Sequence, residues 1–289
     1  MSTTLLPSEV VRVRVPARSW RSELRAIKIV WRRELIRFAN DRLRIVTALI
    51  QPLLFLFVLG AGLDQLSSAS TDGVDLKTFI YPGILCLAVM FTAMFSAASI
   101  VWDREFGFLR EMMVAPVRRS SIVIGKCLGG ATVASFQGVI LLCLAGAVDV
   151  PYDPALILGV FGLQLLLAFS ITAFGVMVAI RIKQMQTFMG LMQMVVMPMF
   201  FISGALFPVA NLPGWLAFLN RIDPVTYAVD PMRRLVFAHL DITESARRTL
   251  DPGVTWWGWP VPTLLEVAIV LVMGLAMLGI AIWEFSTTE

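Results

Sequence analysis

Charge is scarce in this chain, and histidine and cysteine are scarcer. Only 15% of the 289 residues are Asp, Glu, Lys or Arg, against about 25% in a soluble domain. The one histidine, His239, stands alone, which leaves Ser/His triads and histidine-ligated metals without material. Cys86, Cys127 and Cys143 show no CxxC spacing; a disulfide framework or thiolate metal site needs clustering, so they read as small packing residues. A phosphate-binding loop is missing too. The stretch "IGKC" (124–127) ends like one, but that motif needs GxxxxGK[ST] after a strand. Position 120 is Ser, and Cys127 stands where a magnesium-binding hydroxyl belongs. The chain is expected to bind no cofactor or metal, to be no enzyme, and to draw its energy from elsewhere.

What is abundant is apolar surface: 58% of the residues are hydrophobic. They gather into six runs, 46–63, 79–101, 127–148, 155–180, 185–207 and 264–283, each near the ~20 residues that cross a bilayer core. None of the first five contains Asp, Glu, Lys, Arg or His, and only Glu266 lies near the outer end of the sixth. Proton relays and ion pathways show themselves as intramembrane ionisable residues. Their absence speaks against a proton-driven antiporter or a cation channel.

Lys and Arg alternate between loops. Residues 1–45 carry eleven, 64–78 one, 102–126 five, 149–154 none and 181–184 two. The positive-inside rule then puts the N-terminus, the 102–126 loop, the 181–184 turn and, after six spans, the C-terminus in the cytoplasm. The 208–263 segment, with five basic and five acidic residues, goes outside by parity. Trp102 and Trp283 fall at inner boundaries and Trp215, Trp256, Trp257 and Trp259 near the outer one, where indoles favour the headgroup level.

Two segments beside the spans have patterns of their own. Trp20, Leu24, Ile27, Trp31, Leu35 and Phe38 recur at helical steps, with Arg21, Arg25, Lys28 and Arg32 on the other faces. This reads as a basic amphipathic helix in the cytoplasmic headgroup region; a helix that only anchors the bundle is the plainer alternative. A signal peptide does not fit, because the basic stretch is too long and no short apolar core with a cleavage site follows. Residues 203–240 mix Pro and Gly with apolar pieces too short to cross, 214–219 and 225–238, which suggests re-entrant or interfacial helices. There Arg233 and Arg234 need water or an acid, Asp230 being the nearest.

Between the second and third runs lies "VWDREFGFLREMMVAPVRRS" (101–120). On one continuous helix, Asp103, Arg104, Gly107, Arg110 and Glu111 share a face opposite Phe106, Leu109, Met112 and Met113. Glu105 projects among the apolar set, where a carboxylate needs a cation, for which Arg32 or Arg33 is available. Pro116 ends the helix. A solvated connector is the bland alternative.

The stretch Asp103-Arg104-Glu105-Phe106-Gly107-Phe108-Leu109, with Pro116 beyond, resembles the loop motif of the type 2 ATP-binding-cassette (ABC) exporter permeases, in particular their drug-exporter, daunorubicin-resistance-like branch. So do "FFISGALFPVANLPGWL" (200–216) and "DPVTYAVDPMRR" (223–234) after the fifth run. Phe108 and Arg110 depart from the family's usual Thr and acid, with Glu111 supplying a charge one residue later. The resemblance implies an all-α integral membrane protein. It has six transmembrane helices, an interfacial N-terminal helix within residues 1–45, a transmembrane domain over 46–289, and re-entrant or interfacial helices between spans five and six. It further implies a permease of the bacterial plasma membrane, surrounded by lipid and paired with a second copy of itself or a related chain. A separate nucleotide-binding subunit, carrying the ATP and magnesium, docks on the loop through Asp103, Arg104, Glu105, Gly107, Leu109, Arg110, Glu111 and Pro116. The 20–33 helix contributes Trp20, Arg25, Trp31, Arg32 and Arg33. Nucleic acid has no place in this scheme.

The cargo is harder to read. The fifth run is rich in Met, whose flexible thioethers suit varied apolar ligands, although ordinary helix packing or lipid contact is the favoured explanation. Gln51, Met189, Met192, Gln193 and Met197 are candidates for a pathway, and Gly204, Phe207, Pro208, Pro224 and Tyr227 for an outer gate. An uncharged interior favours a hydrophobic or amphipathic cargo, drug-like or lipid-like, over ions. A glycolipid, polysaccharide or other envelope precursor is the alternative, and a secondary transporter a more distant one.

Overall fold

A computed structural model describes residues 19–60, 62, 76–114, 117–207, 213–240, 253–256 and 258–288, without the side chains of Leu76, Arg110 and Thr288. Pro116, Pro208, Trp257 and the tail before residue 19 lie outside that description.

The first helix, α1 (Trp20–Asn40), opens on a capping box in which Ser19 and Ser22 bond each other's backbone. It meets α2 (Arg42–Leu54) at Asp41, which is at once the last cap of α1 and the first cap of α2, its carboxylate accepting from Arg44 N at 3.1 Å. Past Pro52 the first span widens into a π-helical turn, Phe55–Leu59. Then come α3 (Leu76–Ala97), α4 (Ser99–Glu105), α5 (Phe108–Val114), α6 (Arg119–Leu142), α7 (Pro154–Arg181), α8 (Met185–Ile202), α9 (Gly214–Ile222), α10 (Thr226–Phe237), a small hairpin of β1 (Thr255–Trp256) with β2 (Trp259–Pro260), and α11 (Thr263–Thr288).

Six of these stretches are long and apolar enough to cross a membrane: Arg42–Leu59, Lys77–Glu105, Arg119–Leu142, Pro154–Arg181, Met185–Ile202 and Thr263–Thr287. The chain is therefore an all-α, six-span membrane protein. The second span is the pillar, 83% of its apolar window being buried against 11% for the first and 22% for the fifth and sixth. Polar side chains tie the pillar to the third span: Tyr81 donates to Leu141 O at 3.0 Å and Thr92 to Gln137 Oε1 at 2.8 Å. Ser170 joins the fourth span to the sixth through Val270 O at 2.9 Å.

The third helix starts at Arg119, eight residues before the expected 127, and stops at Leu142 rather than 148. Its early start carries Lys126 into the packed bundle, and the second span's extension to Glu105 does the same for Asp103. The expectation that the first five spans hold no charge fails at this end, because the two charges neutralise each other within the helices.

The segment after the fifth span divides as its composition suggests. α9 is amphipathic and exposes Trp215, Phe218 and Ile222. α10 is buried almost throughout and packs among the second, fourth and sixth spans. Arg234 pairs with Asp230 at 2.5 Å, as expected, and also with Glu266 at 3.4 Å. Arg233 takes another course: it donates to Gly204 O at 2.7 Å and Ala205 O at 3.2 Å and lies 4.2 Å over the Phe79 ring. The same turn presses on the pillar, where a Cβ at Gly83 would collide with Ala205 O.

Candidate functional site

The 103–119 loop, α1, the 181–184 turn and the end of α11 gather at one end of the bundle. Arg104 donates to Ala179 O and Ile182 O at 3.2 and 2.8 Å, a cation satisfying the free carbonyls of a helix terminus. Arg119 donates to Ser286 O at 3.2 Å, and Arg181 forks onto Glu284. α9, α10 and the hairpin lie at the other end.

Under the loop sits a buried ion cluster. The Lys126 ammonium, 2% exposed, lies 2.6 Å from Asp103 Oδ2 as an ion pair and donates to Glu34 Oε1 and Ser99 Oγ, both at 2.9 Å. Arg33 pairs with Asp103 Oδ1, and Arg37 lies 3.6 Å from the same oxygen while stacking on Trp102. Among the described residues, three cations meet two carboxylates here. Removing one member would strand its partners in a dry site, which is where ion pairs matter most.

This cluster joins four elements: α1, the end of the second span, the start of the third and, through Arg33 Nη1 to Met112 Sδ at 3.0 Å, α5. α1 comes close enough because α6 turns a stripe of small residues toward it. A Cβ at Gly125 would meet Val30 at 2.8 Å, and one at Gly129 would meet Glu34 at 2.8 Å. One turn earlier, Glu23 accepts from Ser121 Oγ at 2.6 Å and Arg118 N at 3.0 Å.

The expected face assignment along 103–113 is overturned. The helix breaks at Phe106 and Gly107, where Gly107 takes φ +82°, a conformation that a side chain strains. Residues after the break lose the register of those before it. Asp103 is buried, Arg104 caps the fourth span, and Leu109 packs into the core. Glu105, Phe106, Phe108, Glu111 and Val114 are exposed. The pairing expected for Glu105 with Arg32 or Arg33 is also absent among the described contacts: Arg32 and Glu105 are both exposed, and Arg33 meets Asp103 instead.

On α1 the docked face overlaps the apolar stripe only in part, at Phe38 and along the half-buried Ile27, Trp31 and Leu35. Glu23, Ala26, Val30, Glu34 and Phe38 are buried, whereas Trp20 is 75% exposed and Leu24 51%. Trp31 is half-buried and donates to Thr132 Oγ1 at 3.1 Å; Arg25 stays exposed. Sequence reasoning missed Glu23, Glu34 and Lys126. The signal was there in two acids three turns apart on α1 and Ser121, Gly125 and Gly129 at four-residue steps on α6.

The pathway candidates separate. Gln51 and Met189 line one cleft of about 470 Å3 with Arg44, Thr47, Phe95 and Trp102. Arg44 lies 5.5 Å over the Phe95 ring. Met192 is fully buried and packs toward Gly175 instead. Gln193 faces outward and Met197 is half-buried. At the far end Gly204 supplies its carbonyl to Arg233, and Phe207 is partly exposed. Tyr227 is buried, donating to Arg221 O at 2.6 Å and accepting from Trp256 Nε1 at 3.0 Å. Pro224 and Asp223 wall a second cavity of about 360 Å3.

A family model described as ABC-2 type transporter matches residues 25–237, from within α1 to the end of α10. Among similar proteins is transport permease ycf38 of Cyanophora paradoxa, 28% identical over 72% of each chain. The protein of Escherichia coli K12 named as multidrug ABC transporter permease YbhR is 30% identical over 58% of this chain and 47% of its own length. The Mycobacterium tuberculosis protein named as doxorubicin resistance ABC transporter permease DrrC is 28% identical over 70% of this chain and 73% of its own.

Proposed function

Because the chain belongs to the ABC-2 type transporter family, we propose that it is the permease subunit of an ATP-driven exporter, moving a hydrophobic or amphipathic compound and powered by a separate nucleotide-binding chain. ATP and magnesium belong to that partner. The observation that carries this reading is the construction of the loop. Its tip presents Phe106, Phe108 and Val114 with the carboxylates of Glu105 and Glu111, and its base is fixed by Asp103 to Lys126, Glu34 and Arg33.

An exposed tip with apolar and acidic groups suits a partner groove bearing apolar pockets and cations. A buried, charge-paired base makes the tip a rigid extension of the second and third spans. Displacement of the tip by a closing ATPase therefore moves those spans and α1 together. In this arrangement Glu105 and Glu111 engage the partner, while Asp103, Arg104 and Gly107 position them.

The abundance of basic residues at the loop end supports a cytoplasmic location for both termini, in a plasma membrane. The first, fifth and sixth spans turn most of their apolar surface outward, which suits lipid on some faces and a second permease copy on others. The cleft holding Gln51, Met189 and Arg44 is the proposed start of the route. An envelope precursor such as a glycolipid would use the same machinery.

The deciding experiment reconstitutes the chain in liposomes with the nucleotide-binding chain that co-purifies with it from native membrane and follows ATP-dependent flux. Glu105→Ala should leave insertion and folding intact while separating ATP hydrolysis from transport. Flux that persists without any ATPase, or that is unchanged in the variant, overturns the reading.

A further inference from the structure

We propose that the cavity between the fourth, fifth and sixth spans, at the end away from the loop, binds a cationic amphiphile whose positive charge is received by Asp223. The cavity has a volume of about 360 Å3 and is walled by Ile171, Phe174, Met199, Met273 and Met277, with α9 and Asp223 closing it. That volume suits a small organic molecule, and three thioethers let the wall adapt to its shape. Asp223 is the one charged residue among the described residues of the lining.

The carboxylate is built into place and half satisfied. Asp223 is 6% exposed. Its Oδ1 accepts from Val225 N at 3.0 Å, with the Thr226 hydroxyl as a further hydrogen-bonding neighbour. Asn220 holds Thr226 in turn, donating to its Oγ1 at 3.0 Å and to Ile202 O at 2.7 Å, so α8, α9 and α10 are locked around the acid. Asp223 Oδ2 is buried with no hydrogen-bond partner among the described residues. Native interiors seldom leave such an atom unmatched. A neutral guest would leave it so, and an anion would be repelled; an ammonium group or a delocalised cation would complete it.

Burial pushes the acid up to about pKa 7. Near neutrality the empty site therefore holds a carboxyl group that sheds one proton to solvent as the cation enters. Tyr227 on α10 and Cys86 on the second span lie within electrostatic reach, and Tyr227 is uncharged at neutral pH. Arg221 on α9 stands two residues before the acid, and the fourth, fifth and sixth spans add no charge to the wall.

This inference rests on the permease reading and assigns the cargo a sign of charge. Its test needs no ATPase. The purified full chain in lipid nanodiscs is titrated with 9-aminoacridine, a strong base that stays cationic across the range, and with acridine, a weak base that is neutral at and above neutral pH. The cation should bind roughly tenfold more weakly for each pH unit below about 7, because the site must first lose its proton. Above that pH the neutral analogue should bind at least tenfold more weakly than the cation.

Asp223→Asn keeps the acceptor for Val225 and should bind the cation about tenfold more weakly at pH 8, with no pH dependence. Met277→Trp, which fills the cavity and leaves the carboxylate alone, should abolish binding. Equal binding of cation and neutral analogue, or unchanged cation binding in Asp223→Asn and Met277→Trp, overturns the site. Loss of ATP-dependent flux with cation binding intact would instead overturn the exporter reading and leave the site standing.

Discussion

Lys126 lies 2.6 Å from Asp103, joining the first turns of the third span to the last turn of the second. Both are almost fully buried, and each has a further partner on α1: Glu34 for Lys126 and Arg33 for Asp103. The pair turns what reads as a loop between two helices into a fixed corner of the bundle.

Lys126→Met should lower stability by about 3–5 kcal/mol, because it leaves two carboxylates facing each other without their shared cation. Thermal unfolding in mild detergent measures it. The triple variant Lys126→Met, Glu34→Gln, Asp103→Asn should recover much of the loss, since neutral groups of similar shape remove the stranded charge. A single variant as stable as the parent would show that the cluster carries no weight.

Phe108→Ala and Glu111→Ala should fold and insert normally, as both side chains are exposed, yet weaken association with the ATPase. An apolar anchor typically contributes about 1–2 kcal/mol or more at such a contact, a five- to thirty-fold loss in pull-down affinity. The Phe108 effect should resist salt and the Glu111 effect should fade with it.

Gly107→Ala tests the break in the loop. Open space surrounds the site and φ is +82°, so the cost is backbone strain of about 1 kcal/mol. A small drop in melting temperature with a large drop in ATP-coupled flux is expected. Coupling that falls no further than stability would remove the break from the mechanism.

Asp223 makes the far end sensitive to pH. Its carboxyl titrates at about 7 in the folded chain against 3.8 when unfolded, burial being the main cause and the bonds from Val225 and Thr226 opposing it. A raised acid binds its proton more tightly when folded, so its contribution is complete below pH 3.8 and declines as pH rises toward 7. Hydrogen exchange in α9 and α10 should accelerate between about pH 5 and pH 7.5 beyond the intrinsic rate change. In Asp223→Asn that excess should vanish.

The spans were readable because length and apolarity alone decide them, and the α9 and α10 pieces because Pro and Gly cut the sequence around them. The Arg234–Asp230 pair followed from i, i+4 spacing. The loop was misread for a local reason. A helical wheel carried through Gly107 assumes a negative φ there, and one positive angle rotates everything beyond it. Glu105 was thereby assigned the cation that Asp103 holds. Lys126 was hidden because a window for apolar runs stops at a charge, whereas the fold accepts one when two carboxylates wait for it. Met192 and Gln193 are adjacent in sequence, yet one faces the core and the other faces out; only packing against the fourth span separates them.

Asp41 closes α1 and opens α2 with no residue to spare between them. Two rods that share a single joint with no spacer pass a displacement of one end directly to the other. In the proposed coupling, a tilt that the ion-paired corner forces on the surface helix would be passed to the outward-turned span beyond, as a crank passes rotation to a shaft. Slack inserted at that joint, two glycines after Asn40 for instance, would let the first rod swing while the second stood still.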